Sequence, residues 1–208
     1  MSSVAERSIA GFLASLAARE PAPGGGAAAA LHAAQGAALV AMVARYSDRA
    51  EEEQARTLAA RIAGDADAVM ARATELIGED MDAFAAVVRS YGLPKSDEAE
   101  KAARREAIAA ASIGAAAPPA GVIEAAGQVV ALAQELYPVA NRNVITDIAA
   151  AADAARAAAS TARINVEINL GGIADASAKA AFQQTLDSVD GILTAADELS
   201  ATVRRGLS

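Results

Sequence analysis

Apolar residues recur at helical spacing along almost the whole chain. Ile9, Phe12, Leu13 and Leu16 share one face of a first helix, which Ser3 or a neighbour would cap and which ends before Pro21. Residues 27–44 carry no charge, and they predict a second helix from Gly26, or just beyond, to about Tyr46. Over residues 48–91, Leu58, Ile62, Val69, Leu76, Phe84 and Val88 keep a near-helical period, with Gly64 or Gly78 as points of bending or breakage. The segment YGLPKSDEAE (residues 91–100) is a connector. In it Ser96 is placed to cap the next helix, and Glu98 and Glu100 suit the positive end of that helix. That fourth helix should stop before Pro118, with Pro119 in the first turn of a fifth. A sixth begins at Asn141 or Asn143 and runs to about Leu170, where Gly171 and Gly172 end it. A final helix covers residues 175–205. Only INVEINL (residues 164–170) has any strand character. The pattern therefore predicts one all-α domain over residues 1–208, an antiparallel helical bundle of about six to seven helices.

Composition sharpens this picture. Hydrophobic residues make up 54% of the 208, aromatics only 3%, and there is no Trp. Alanine supplies much of the apolar fraction and favours helix, since it has little side-chain entropy to lose. The expected core is thin layers of Ala, Leu, Ile and Val. With 26 acids against 18 bases and no basic patch, nucleic acid is not an expected partner. The chain has no Cys, so disulfides and thiolate chemistry are excluded. His32 is the single histidine, which rules out a His-rich metal site, and on a helix of small residues it reads as a packing residue. No signal-peptide pattern opens the sequence, so the expected location is the cytoplasm.

The stretch PAPGGGAAAALHAAQGAALVAMVARYS (residues 21–47) carries the main question about chemistry. It is not a Walker A loop, because no Lys-Ser/Thr pair follows the glycines, and the dinucleotide spacing G-x-G-x-x-G is absent. Its length would span a bilayer at roughly 20 residues. Alanine gains little in hydrocarbon, however, and His32 and Gln35 interrupt the run, so a buried core or interface helix is favoured over a membrane span. Two readings of Gly24, Gly25 and Gly26 stand. They admit a close ligand or backbone and leave N–H groups at a helix start for an anionic or carbonyl group, or they simply form a tight loop.

Three segments together carry a resemblance. They are FLASLAAREPAPGGGAAAALHAAQGAALVAMVA (residues 12–44), DMDAFAAVVRSYGLPKSDEAEKAARREAI (residues 80–108) and NRNVITDIAAAADAARAAASTARINVEINL (residues 141–170). In order and spacing they resemble the cyclodeaminase/cyclohydrolase family of folate enzymes. The last segment matches its N-x-(I/V)-S-D and N-V-x-I-N signatures, with Thr146 in place of Ser. Other departures are Ala27 after the glycines, Ala140 before the Asn motif, and a second proline in GAAAPPAGVIEA (residues 114–125). The resemblance implies a homodimeric helical enzyme that needs no metal or redox cofactor. Its substrate would be a folate one-carbon unit. As a cyclohydrolase it would convert 5,10-methenyltetrahydrofolate to 10-formyltetrahydrofolate. As a cyclodeaminase it would release ammonia from 5-formiminotetrahydrofolate. A non-catalytic folate-binding dimer is the alternative from another class.

The resemblance singles out particular residues, and each also has an ordinary explanation. Asp147 and Asp82 are the catalytic candidates, because a carboxylate can stabilise the amidinium-like methenyl cation and help deprotonate water. Asp147 lies four residues after Asn143 on one face, yet an acid in a first helical turn is also favoured by the dipole. Asp82 points about 100° away from the face of Met81, Phe84 and Val88, where a solvated acid also fits. Pro23, Gly24, Gly25 and Gly26 would form a pocket wall, and Asn143 would bind the pterin. Lys101 and Arg104 would hold the anionic glutamate tail, although Asp97–Lys101 and Glu100–Arg104 pairing explains them as well. Asn165 and Asn169 match the family, but Asn165 is eighteen residues from Asp147, roughly 27 Å along a continuous helix. Either a dimer mate supplies one of the two groups, or the asparagines bond backbone near the helix end.

Overall fold

The computed structural model of the protein describes residues 8–48 and 52–207. Those residues form seven α-helices and no strand: α1 Ile9–Leu16, α2 Gly25–Tyr46, α3 Glu53–Tyr91, α4 Glu98–Leu136, α5 Thr146–Leu170, α6 Ala176–Asp187 and α7 Val189–Arg205. Ser3 lies outside the described residues, and Ser8 caps α1, its Oγ accepting from the Gly11 N–H at 3.1 Å. Two 3-10 turns, Tyr137–Val139 and Arg142–Val144, link α4 to α5. Short connections between packed neighbours make α2, α3, α4 and α5 run up and down as an antiparallel bundle.

Alanine decides how the bundle packs. The helix α2 lies at its centre against α3, α4 and α5, burying Ala29, Ala30, Ala33, Ala37, Val40 and Ala41. A Cβ at Gly36 would come within 3.1 Å of both the Ala151 carbonyl oxygen and Val129 Cγ1, so this glycine sets how closely α2 crosses α5 and α4. Both α2 and α4 are long and apolar enough to cross a membrane by length and composition, but 61% of the apolar window of α2 is buried inside the bundle. The larger side chains Ile62, Leu76, Ile123, Leu136 and Ile148 fill the spaces that alanine leaves. With α6 and α7 packed on α4 and α5, one contiguous core results.

Several boundaries differ from the sequence expectation. Gly64 and Gly78 do not break α3, which is continuous over 39 residues. The cap of α4 is Asp97 rather than Ser96: its Oδ1 accepts from the Glu100 N–H at 2.8 Å, while Glu100 Oε2 accepts from the Ser96 N–H at 2.6 Å. Most notably, α4 runs unbroken through Pro118 and Pro119, both buried. The expected final helix is two, divided at Ser188, whose Oγ donates to the Thr185 carbonyl at 2.7 Å. The INVEINL segment completes α5 as helix.

Candidate functional site

The three glycines open onto the C-terminal half of α3. Gly24 precedes α2 and offers no side chain to cap it, so the first amides of the helix need an acceptor from elsewhere. Asp80 supplies one. Its carboxylate lies directly over Gly26, where a Cβ would meet Asp80 Oδ1 at 2.0 Å, and it accepts a hydrogen bond from the Ala27 backbone N–H. The anion that the glycines accommodate is thus one of the chain's own. Partial burial pushes the Asp80 carboxyl above the usual carboxylate range, and the Ala27 hydrogen bond opposes that rise without cancelling it.

Asp80 forms one wall of a cavity of about 410 Å³. Gly24, Gly25 and Gly26 form a second wall, Ser112 and Ala115 of α4 a third, and Asn165, Ile168 and Asn169 of α5 a fourth. The asparagines are held by their own helix: Asn165 Nδ2 donates to the Thr161 carbonyl at 2.8 Å, and Asn169 Nδ2 to the Asn165 carbonyl at 2.7 Å. Since only the amide nitrogen can donate, these bonds fix which way each amide is turned and leave Oδ1 as an acceptor. No buried side-chain oxygen among the described residues lacks a partner, so these acceptors are accessible. Ser112 gives its hydroxyl proton to the Ile108 carbonyl at 2.9 Å and likewise presents lone pairs. It packs so tightly on Gly172 that a Cβ there would lie 2.3 Å from Ser112 Oγ.

The lining contains a carboxylate, two side-chain amides and the hydroxyls of Ser112 and Tyr91, and no Lys, Arg or His. Phe84, Val87, Tyr91 and Ile168 add apolar surface. Such a cavity suits a flat, partly apolar ligand that carries N–H donors or positive charge. Just outside, Arg104 stacks over the Tyr91 ring at 5.4 Å from its centroid and donates to the Tyr91 carbonyl at 3.2 Å. A cation therefore stands beside the cavity without entering it.

The sequence profile of formiminotransferase-cyclodeaminase matches residues 8–188. The chain belongs to this family. A methenyltetrahydrofolate cyclohydrolase from Methylorubrum extorquens is 33% identical over 193 residues, covering 92% of this chain and 91% of that protein. The mouse (Mus musculus) formimidoyltransferase-cyclodeaminase is 33% identical over 174 residues, 83% of this chain but only 32% of that longer protein. In three dimensions, the crystal structure of a formiminotetrahydrofolate cyclodeaminase from Thermotoga maritima superposes with a TM-score of 0.85 at 26% identity, covering 98% of each chain.

Within this formiminotransferase-cyclodeaminase fold, the residues predicted from sequence fall into two groups. Gly24, Gly25, Gly26, Asn165 and Asn169 surround the cavity, and Pro23 is buried beside them. The asparagines bond backbone near the end of α5 and at the same time line the cavity. Asp147 and Asn143 lie elsewhere. Asp147 is in the first turn of α5 and Asn143 in the 3-10 turn before it. Because α5 is continuous, roughly 27 Å of helix separates Asp147 from Asn165, and a single chain does not bring them together.

In the same motif it is Asn141 that ties the connection down. Its Oδ1 accepts from the Asn143 N–H at 3.0 Å, and its Nδ2 donates to the Tyr46 carbonyl at 2.9 Å. Asp82 is exposed and outside the cavity lining. Lys101 pairs with Glu98 at 2.7 Å rather than with Asp97, and Arg104 turns to Tyr91 rather than to Glu100. Asp80 was not among the candidates. The available signal was helical phase: Asp80 falls in register with Ala73, Ile77, Phe84, Val87 and Tyr91, an acid on the face that points inward.

Proposed function

We propose that the protein is a methenyltetrahydrofolate cyclohydrolase that opens the five-membered ring of 5,10-methenyltetrahydrofolate to give 10-formyltetrahydrofolate. The observation that carries this reading is the carboxylate of Asp80, set in an acceptor-lined cavity beside the helix start that the glycines form. The methenyl carbon bears a positive charge shared between two nitrogens, which a cavity of acceptors favours over a neutral ring. In the proposed reaction Asp80 accepts a proton from water as that water adds to the methenyl carbon. The C–N5 bond of the adduct then breaks, Asp80 returns the proton to N5, and the hydroxyl proton of the adduct leaves to solvent as the formyl group forms. Water is the only co-reactant, and no metal or redox partner enters the balance. Asn165 and Asn169 would accept from the N–H edge of the pterin, and Arg104 would meet the anionic tail outside.

The direct test is the near-ultraviolet absorbance of methenyltetrahydrofolate mixed with purified protein. Accelerated decay supports the cyclohydrolase, and decay at the uncatalysed rate overturns it. The likeness to the Thermotoga maritima cyclodeaminase gives a second reading, release of ammonia from 5-formiminotetrahydrofolate. An ammonia assay on that substrate, with the same preparation, separates the two.

We also propose that the active form is a homodimer. Ile164 and Ile168, successive turns of α5 beside the cavity, are 64% and 77% exposed, and Phe84 and Tyr91 widen the apolar rim. A second copy is also the route by which Asn143 and Asp147 would reach this cavity. Ile164→Arg, outside the lining, is expected to shift the sedimentation coefficient from dimer to monomer and to lower activity with it. A variant that stays dimeric, or a wild type that sediments as a monomer, would count against the assignment.

A further inference from the structure

The two prolines inside α4 create a vacancy that the cavity uses. In a helix the carbonyl of residue 115 accepts from the N–H of residue 119, or in a tighter turn from that of residue 118. Both positions are proline, and neither has an N–H. Ala115 is buried and lines the cavity, so its carbonyl loses its helical donors where replacing them with water is costly. The neighbouring carbonyl, that of Gly114, loses only the donor at residue 118 and sits on an exposed residue. One side chain reaches the Ala115 oxygen: Asn169 Nδ2, at 3.3 Å, the same nitrogen that donates to the Asn165 carbonyl.

From this geometry we infer that Pro118 and Pro119 are positioning residues for Asn169. By denying Ala115 its helical donors, they create an acceptor on α4 that draws the Asn169 amide across from α5. The nitrogen is then held between two carbonyls on different helices, and Oδ1 is fixed toward the cavity. The diproline thus acts on the ligand through one hydrogen bond rather than by bending α4. The same bond explains why α4 passes through two prolines, because the missing helical bond is replaced from a neighbouring helix. The positioning role rests on the proposed cyclohydrolase reading, whereas the Pro–Ala115–Asn169 linkage does not depend on it.

A double-mutant cycle on the full chain tests both parts. Pro119→Ala restores the helical N–H for Ala115, so Asn169 loses its cross-helix partner. Asn169→Ala alone strands the Ala115 carbonyl and is expected to lower Tm by about 2–4 °C. In the Pro119→Ala background the same truncation is expected to lower Tm by about 1 °C or less, because the carbonyl is already satisfied. On methenyltetrahydrofolate, Pro119→Ala is expected to reduce kcat/KM by about fivefold with no loss of Tm, and Asn169→Ala should add its full activity loss only when Pro119 is present. Equal Tm losses in both backgrounds, or multiplicative activity losses, would overturn the inference. Pro118→Ala, which restores only the tighter-turn donor, should give a smaller version of the same coupling and serves if Pro119→Ala does not fold. Should wild-type protein lack the activity, the thermal cycle still decides the linkage, so the two readings fail separately.

Discussion

Asp80→Asn is expected to lower kcat by about 10²–10⁴-fold while leaving the melting temperature at neutral pH unchanged or slightly raised. The amide keeps the size of the carboxylate and can still accept from the Ala27 N–H, so the fit over Gly26 survives. What it loses is the basic oxygen that, in the proposed reaction, takes a proton from water. The stability side follows from the direction of the pKa shift. Burial raises the Asp80 pKa in the folded chain above its unfolded value, so ionisation of this group disfavours folding at pH values above the folded pKa. That cost is relieved as pH falls through the raised pKa toward the unfolded one, and Asn removes it altogether. The same shift, a property of the ligand-free chain, predicts that wild-type kcat/KM falls on acidification at a pH above the ordinary carboxylate range. A pH–rate profile beside thermal melts of both proteins checks each point. A fully active Asp80→Asn would eliminate this residue as the base.

Gly26→Ala should be nearly as damaging, by a different route. The new Cβ would lie 2.0 Å from Asp80 Oδ1 and 2.5 Å from Cγ, far inside contact distance. Backbone φ is not the obstacle, because no glycine here has a positive φ; the obstacle is space. The short Asp80 side chain must swing away or α2 must separate from α3, at about 1–3 kcal/mol for overpacking. A displacement of about 1 Å at the reacting group costs about 10²-fold in rate. Loss of activity together with loss of Tm is therefore expected. Adding Asp80→Ala to Gly26→Ala should recover much of the Tm and none of the activity. If Gly26→Ala retained both, the close contact between α2 and α3 would be refuted.

How much of this was legible in the sequence depends on the kind of information. Helix positions followed from apolar spacing because that spacing reports burial directly, and α2 and α5 end where Tyr46 and Leu170 indicated. The glycines announced a close approach, and the N-V-x-I-N motif marked two residues of the cavity. Asp80 was hidden in an acidic run, GEDMD, where neighbouring carboxylates differ only in the face they occupy, and Asp82 is nearly opposite. The prolines misled for a complementary reason. The rule that proline stops a helix concerns the helix alone, and here the missing bond is supplied from α5. The turn of Arg104 to Tyr91 likewise depends on a partner on another helix that spacing does not encode.

The layout of the cavity along the chain also has a temporal meaning. Packed pairs such as α2 with α3 and α3 with α4 are neighbours in sequence and can form early, since closing short loops costs little entropy. The cavity draws on Pro21 at one extreme and Gly172 at the other. A chain still on the ribosome can therefore build much of its bundle before the cavity exists. Asp80, already bonded to the start of α2, then stands on an incomplete wall until α5 docks. Pulse-labelled hydrogen exchange during refolding should find amides of α3 protected before the last turns of α5. In such a protein, competence to fold would precede competence to catalyse.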